Sequence, residues 1–537
     1  MRTIVYINPR PSIDRRNNPY SSGIINKIIG GKRAAIVTLS PMIIGALTPR
    51  DEYNFVFLDE TIDLVDPTTV QADLVAITTL TVSADRAYQL SADFRARGIP
   101  VVLGGVHVTA CPEEAAQHAD TIFTGMGEYT WPAFLEDWKN GVPKPRYDAA
   151  DYPLVDFFVT PRTDIIDTSN YLALPVMATR GCPYNCDFCC IPLSSGHKYL
   201  TKPVEDVMSE IRAWEACVKP GRIGAEKPDY LFVDDNLYIK HDYTRQLIEA
   251  MKELHVTWYG QGSIHTAADD EVIKLISESG CRAYSMGFES LNDENLAKMQ
   301  KARKADVAVY QKALDNLRKH GIMPSGYFIV GFDGDDATVF EKTVDFVREN
   351  GVVQAVLSVL TPYPGTELRE RLVREGRIWG TGWQLYNNWN TVINPLHMTS
   401  DELEAGFHWA VKQNNSPKAI KAALRKFFAE GPWPAKPRLR FIERLAFIYF
   451  ALMMLPHPSV WPFARFCVWV AFQRNAVDFR GIISTLLTME IGSRIKDDYY
   501  NPAERRRQRG LPLGDVNQLD TVRPGTPLPD PKVKAAA

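Results

Sequence analysis

Three cysteines crowd one short loop: Cys182-Pro-Tyr-Asn-Cys186-Asp-Phe-Cys189, reached from a strand-like run through Arg180-Gly181. The C-x3-C-x2-C spacing presents three thiols from a single turn of chain. A structural zinc site takes four protein ligands, commonly as two separated pairs. A cubane iron–sulfur cluster also takes four, one per iron. The other five cysteines, Cys111, Cys190, Cys217, Cys281 and Cys467, are scattered, with no second C-x2-C pair and no disulfide-like spacing. Cys190 directly follows Cys189, and adjacent loop residues seldom point at one metal, so it reads as a spectator. A four-iron cluster on this loop keeps one iron for a ligand that is not protein.

The chain around that loop is an ordinary globular one. Its 537 residues suffice for two to four domains. Apolar content of 45% and charged content of 23% are typical of packed proteins. The net charge of −3 gives no reason to expect nucleic acid. No charged and then apolar leader opens the chain, so reduced cysteines and a cytoplasmic location are expected.

Residues 1–150 alternate short apolar runs with helical patterns. Strands are expected at 3–8, 53–58, 73–78, 100–103 and 120–124, with helices such as Ser83–Arg97 and Pro112–His118 between them. This alternation predicts an α/β fold with a doubly wound, Rossmann-like parallel sheet. Ligands bind such sheets at the carboxyl ends of the strands. The candidate loops there are Thr79-Leu-Thr81, Gly104-Gly105-Val-His107 and Gly125-Met-Gly127-Glu128. Residues 170–375 repeat the alternation six times. Strand ends fall at Asp234-Asp-Asn236, Gln261-Gly-Ser263, Gly287-Phe-Glu289-Ser290, Gly331-Phe-Asp-Gly334 and Pro362-Tyr363-Pro-Gly365. A partial (β/α)6 barrel is expected, with its chemistry on those strand-end loops.

The cysteine spacing and the ordered series of loops resemble the radical S-adenosylmethionine (SAM) superfamily. The preceding Val101-Val-Leu-Gly-Gly-Val-His107 and Gly125-Met-Gly-Glu128 look like the cobalamin-binding domain of one large subfamily. The resemblance covers residues 1–140 and the barrel. It implies a [4Fe-4S] cluster on Cys182, Cys186 and Cys189, with SAM completing the fourth iron. It implies SAM contacts from Phe188, Asp234, Asn236, Ser263, Glu289 and Tyr363, with Asp234 and Asn236 receiving the SAM amino group. It implies cobalamin contacts from Thr79, Thr81, Gly104, Gly105, His107, Gly125, Gly127 and Glu128. The Asp-x-His-x-x-Gly motif that supplies a lower cobalt ligand elsewhere is missing, and His107 is on a different loop from that motif.

Family chemistry then implies a 5′-deoxyadenosyl radical that takes hydrogen from an unactivated carbon, and methylcobalamin as methyl donor. The expected function is C-methylation of a lipid, polyprenoid or other apolar natural product, with a flavodoxin or ferredoxin as electron donor. The same two domains also serve non-methylating, ring-forming oxidoreductases of tetrapyrrole synthesis. A cobalamin- or cluster-binding regulator has no need of a full set of SAM loops. A methylthiotransferase needs a second three-cysteine set near the N-terminus, and Cys111 is the only cysteine before Cys182.

Residues 376–500 are expected to be mostly helical, with Trp383–Trp389 and Asn394–Met398 closing the substrate cavity. Residues 418–444 carry eight basic side chains against two acidic ones and precede twenty residues, 445–464, with no Lys, Arg, Asp or Glu. Pro456, Pro458 and Pro462 interrupt that run, which favours a buried or interfacial hairpin over a span. Peripheral contact with the inner membrane face is the corresponding expectation. Residues 501–537 read as a disordered tail.

Overall fold

The computed structural model describes residues 1–11, 34, 36–152, 158–218, 228–298, 307–380 and 382–430, with single positions at 448, 465 and 468. The expected hairpin at 445–464 and the tail at 501–537 therefore lie outside the described residues, save those single positions. No described helix is long and apolar enough to cross a membrane.

The first sheet contains β1 (Arg2–Asn8), β2 (Tyr53–Asp59), β3 (Leu74–Thr78), β4 (Val101–Gly104), β5 (Thr121–Thr124) and β6 (Arg146–Asp148). Their order is β2-β1-β3-β4-β5-β6 and every neighbouring pair is parallel. Both faces are covered, which is why these strands read as unbroken apolar runs. Val5, Ile7, Val75 and Ile77 meet the helix Ala84–Ala96 through Ala87, Leu90 and Phe94. Ile4, Tyr6, Leu74 and Ala76 share the opposite core with Trp131, Phe134 and Leu135 of the helix Gly127–Lys139. The sixth strand is an addition to the five expected. It is three residues long and buries only Tyr147, which stacks on Phe123 at 5.6 Å, so no run of apolar residues announces it.

The second sheet joins β7 (Ala173–Val176), β10 (Asp229–Phe232), β11 (Thr257–Gly262), β12 (Cys281–Glu289), β13 (Met323–Val330) and β14 (Gln354–Val359) in that spatial order. All its pairs are parallel, which gives the expected six-stranded partial barrel, with β7 and β14 as its two edges. Between β7 and β10 the chain adds a small antiparallel ribbon, β8 (Thr179–Arg180) with β9 (Leu200–Thr201), that encloses the cysteine loop. After the barrel, the helix Ser400–Asn414 places Leu403, Phe407 and Ala410 in the barrel's own hydrophobic core. Gly406 is needed there, because a Cβ would stand 2.1 Å from a ring carbon of Phe340. Residues 400–411 thus share the barrel core.

Candidate active site

The cysteine loop is pinned at both ends. At its start, Asp234 accepts hydrogen bonds from the backbone N–H of Ala178 at 3.1 Å, from the Thr179 hydroxyl at 2.6 Å and from the Thr179 N–H. The neighbouring Asp235 accepts from Gly181 N–H at 2.8 Å. Gly181 has φ +84, and a Cβ there would lie 2.2 Å from the Lys198 carbonyl oxygen, so only glycine makes this turn. At the far end, the Leu368 N–H donates to the Asp187 carbonyl at 2.9 Å. Cys182, Cys186 and Cys189 are partly buried and form no disulfide. Burial pushes the Cys189 thiol up to about 12, and ligation to iron would remove that proton. Cys190 occupies the N-cap position of the helix Ile191–Ser195 without a side-chain cap hydrogen bond.

The structure places the residues expected to meet SAM around the carboxyl ends of β10 to β14 but gives several of them other partners. Asp234 is fully buried and its carboxylate serves the approach to the cysteine loop rather than standing free for an ammonium group. Burial pushes its pKa up to about 7, although the three donors work in the opposite direction. Asn236 is also buried, and its side-chain oxygen has no partner. The Ser263 hydroxyl caps the helix Ile264–Ala267 through the Thr266 N–H at 3.1 Å. Glu289 ends β12 beyond a bulge with φ +60, a conformation that non-glycine residues adopt chiefly where function holds them there. The Tyr363 hydroxyl donates to the Asn388 side-chain oxygen at 3.0 Å. Phe188 meets Phe332 edge to face at 6.0 Å, in an apolar cluster with Leu360, Leu368 and Tyr386.

On the first sheet, the Thr79 hydroxyl is buried without a partner at the end of β3, beside the Gly104–Gly105 turn. Gly104 has open space, with only the Phe123 Cβ within reach of an added Cβ, at 3.6 Å. Gly105 and Gly125 are required by the protein's own packing, whereas Gly127 faces only the flexible tip of Ile44. A Cβ on Gly105 would stand 2.7 Å from the Thr79 carbonyl oxygen, on Gly125 2.6 Å from Ala149, and on Gly127 2.9 Å from Ile44. Gly105 also has φ +108. We therefore expect Gly105→Val to destabilise the whole first domain, by about 1–3 kcal/mol from backbone conformation alone. Thermal unfolding would register this as a lowered midpoint together with corrinoid loss, whereas an unchanged midpoint with selective corrinoid loss would assign the glycine to ligand contact.

Glu128 is committed as well. It forms a 2.5 Å ion pair with Arg180, and the two side chains are only 8% and 18% exposed. Arg180 also approaches the Met126 sulfur at 3.5 Å. A buried ion pair thus joins the β5 loop of the first sheet to the residue two before Cys182. A second junction runs from Glu114, which accepts from the Trp383 indole at 2.8 Å and from the Tyr88 hydroxyl at 3.0 Å. Arg369 stacks over Trp383 and Tyr386 at 5.2 and 5.3 Å. The strand-end loops of the first sheet and the cysteine loop of the barrel therefore face one another. Sequence reading missed Glu114, Asp235 and the partner of Arg180. The one available signal was an arginine beside Gly181, and nothing local indicates which distant acid it meets.

A model of the radical SAM superfamily matches residues 176–347, from the end of β7 to the helix Val339–Asn350. The bacteriochlorophyllide d C-12(1)-methyltransferase of Chlorobaculum tepidum is 32% identical over 372 residues, 68% of this chain and 80% of that protein. The C-8(2)-methyltransferase of the same organism is 31% identical over 332 residues, 60% of this chain and 73% of that protein. The chain belongs to the radical SAM methyltransferase family. The solved structure of the cobalamin-dependent radical SAM enzyme OxsB has the same fold, with a TM-score of 0.60 at 14% identity, covering 97% of this chain and 82% of that one. Radical SAM enzymes use a [4Fe-4S] cluster and SAM, and the OxsB structure holds cobalamin together with SAM. The residues present fit them: three thiols on a pinned loop, an unpartnered buried amide oxygen at Asn236, and an unpartnered buried hydroxyl at Thr79 beside a glycine turn.

Proposed function

We propose that this radical SAM enzyme transfers a methyl group to an unactivated carbon of a large apolar small molecule, of the tetrapyrrole type on which its relatives act. The observation that carries the reading is the Arg180–Glu128 pair, which turns the cluster loop and the first sheet's strand ends toward one space. The bound cofactors supply the carbon-centred radical and the methyl group, and the protein supplies orientation and exclusion of water.

In this reading Cys182, Cys186 and Cys189 hold the cluster, and Asn236 and Glu289 approach SAM at the barrel mouth. Phe188 contributes an apolar wall there, and Tyr363, tethered to Asn388, another. Thr79 and Gly104 approach cobalamin, while Asp234, Ser263, Gly105, Gly125 and Glu128 hold the loops in shape. A lumen suited to an apolar ring system is in keeping with Tyr327, a large side chain 37% exposed on β13, an interior strand of the barrel. A flavodoxin or ferredoxin supplies the electron.

The test is an anaerobic assay with SAM labelled in its methyl group. Label in the product together with 5′-deoxyadenosine supports the proposal. An unlabelled product with a new ring or double bond would make the enzyme a cyclase, and no 5′-deoxyadenosine on reduction would make it a regulator.

A further inference from the structure

The loop after β4, on which His107 is expected to meet cobalamin, brings three metal-ligating side chains together. His107, Cys111 and Glu114 are spaced four and three apart, which brings them to one side of a helical path. The helix Val106–Ala110 breaks at Cys111, where φ is −131 and ψ 57, and resumes at Pro112. Across that break one ligand atom of each residue, an imidazole nitrogen, a thiol sulfur and a carboxylate oxygen, lies within 4.8 Å of the other two. The His107 Nε2 to Glu114 Oε1 separation is 3.5 Å. Ligands about 2.1 Å from a tetrahedral zinc are separated by roughly that distance.

The surroundings orient these groups as a metal site requires. His107 is fully buried, and its Nδ1 sits 3.3 Å from the Thr81 hydroxyl. With Nδ1–H donated to that oxygen, the Nε2 lone pair faces Glu114 and Cys111. Glu114 Oε1, the oxygen that faces His107 Nε2, also accepts from the Tyr88 hydroxyl and the Trp383 indole, which fix the orientation of the carboxylate. The Trp383 ring also meets the imidazole at 4.9 Å, edge to face. Metal-binding histidines and carboxylates characteristically have such outer partners.

We propose that His107, Cys111 and Glu114 form a binding site for a zinc-type divalent cation, with a fourth position open to water. Mixed nitrogen, sulfur and oxygen donors suit zinc better than magnesium or calcium. Because Trp383 reaches Glu114 from the segment after the barrel, the bound ion fastens the first domain to that segment. It is separate from the cluster and does not depend on the methyl-transfer reading.

Zinc also binds cluster cysteines, so the test uses the full-length chain carrying Cys182→Ala, Cys186→Ala and Cys189→Ala, dialysed against Zn2+ and then analysed for metal. About one zinc per chain is expected, together with a raised thermal midpoint. Adding Cys111→Ser should weaken zinc binding by at least about tenfold, and Tyr88→Phe by about tenfold, the usual effect of losing an outer partner. Wild-type holoenzyme should carry the same zinc in addition to its iron. No zinc in the cysteine-free-loop variant, or unchanged affinity in the added Cys111→Ser variant, would mean the three side chains form a hydrogen-bonded cluster only.

Discussion

Replacing Cys182, Cys186 and Cys189 together by alanine is expected to abolish SAM cleavage entirely and to remove the broad visible absorption of the reconstituted enzyme. Iron content should fall from about four per chain to none. The loop itself should survive, because its ends are held by Asp234, Asp235 and Leu368 rather than by the thiols. Circular dichroism and thermal unfolding should therefore change far less than activity does. Cys190→Ala should keep the cluster, since Cys190 occupies the N-cap position of a short helix, outside the C-x3-C-x2-C spacing. Retained iron in the triple variant would place the cluster elsewhere.

Glu128→Gln is expected to separate radical generation from methyl transfer. Arg180 would keep its buried guanidinium but lose its counter-charge, a change that costs about 3 kcal/mol at buried pairs. The cluster ligands are untouched, so iron content and 5′-deoxyadenosine formation should persist. What should shift is the relation of the two domains. Corrinoid retention should fall, and more 5′-deoxyadenosine should form for each methyl delivered. Arg180→Lys keeps the charge but loses the guanidinium fork, so it should give a smaller shift in the same direction. Wild-type corrinoid content and a wild-type ratio of 5′-deoxyadenosine to methylated product in Glu128→Gln would show that the pair does not set domain geometry.

Much of the fold is legible in the chain because both sheets are parallel, the first of them covered on both faces. Strands of that kind are short continuous apolar runs separated by amphipathic helices. Ten of the strands extend such runs, from β1 through β5 and from β10 through β14, and the run before Cys182 covers β7. The strands that escape notice, β6, β8 and β9, are two or three residues long and pair over only two or three positions. No periodicity can develop over such a length.

The candidate site divides in the same way. The three thiols proposed as cluster ligands form a local group set by spacing along one loop, so the sequence alone points to them. Individual carboxylates and hydroxyls are different, because their availability depends on donors brought from other elements. Asp234 looks like a free acceptor until Ala178 and Thr179 are seen to occupy it. Glu128 looks like a ligand contact until Arg180 meets it. The spacing of His107, Cys111 and Glu114 is likewise visible in the sequence. It acquires meaning only when Thr81, Tyr88 and Trp383 turn those side chains toward one point. Local pattern thus determined the cluster loop, the two parallel sheets and the order of the strand-end loops. Tertiary structure decided which polar groups are spent on holding those loops and which remain for chemistry, since hydrogen-bond partners are chosen by distance in space, not along the chain.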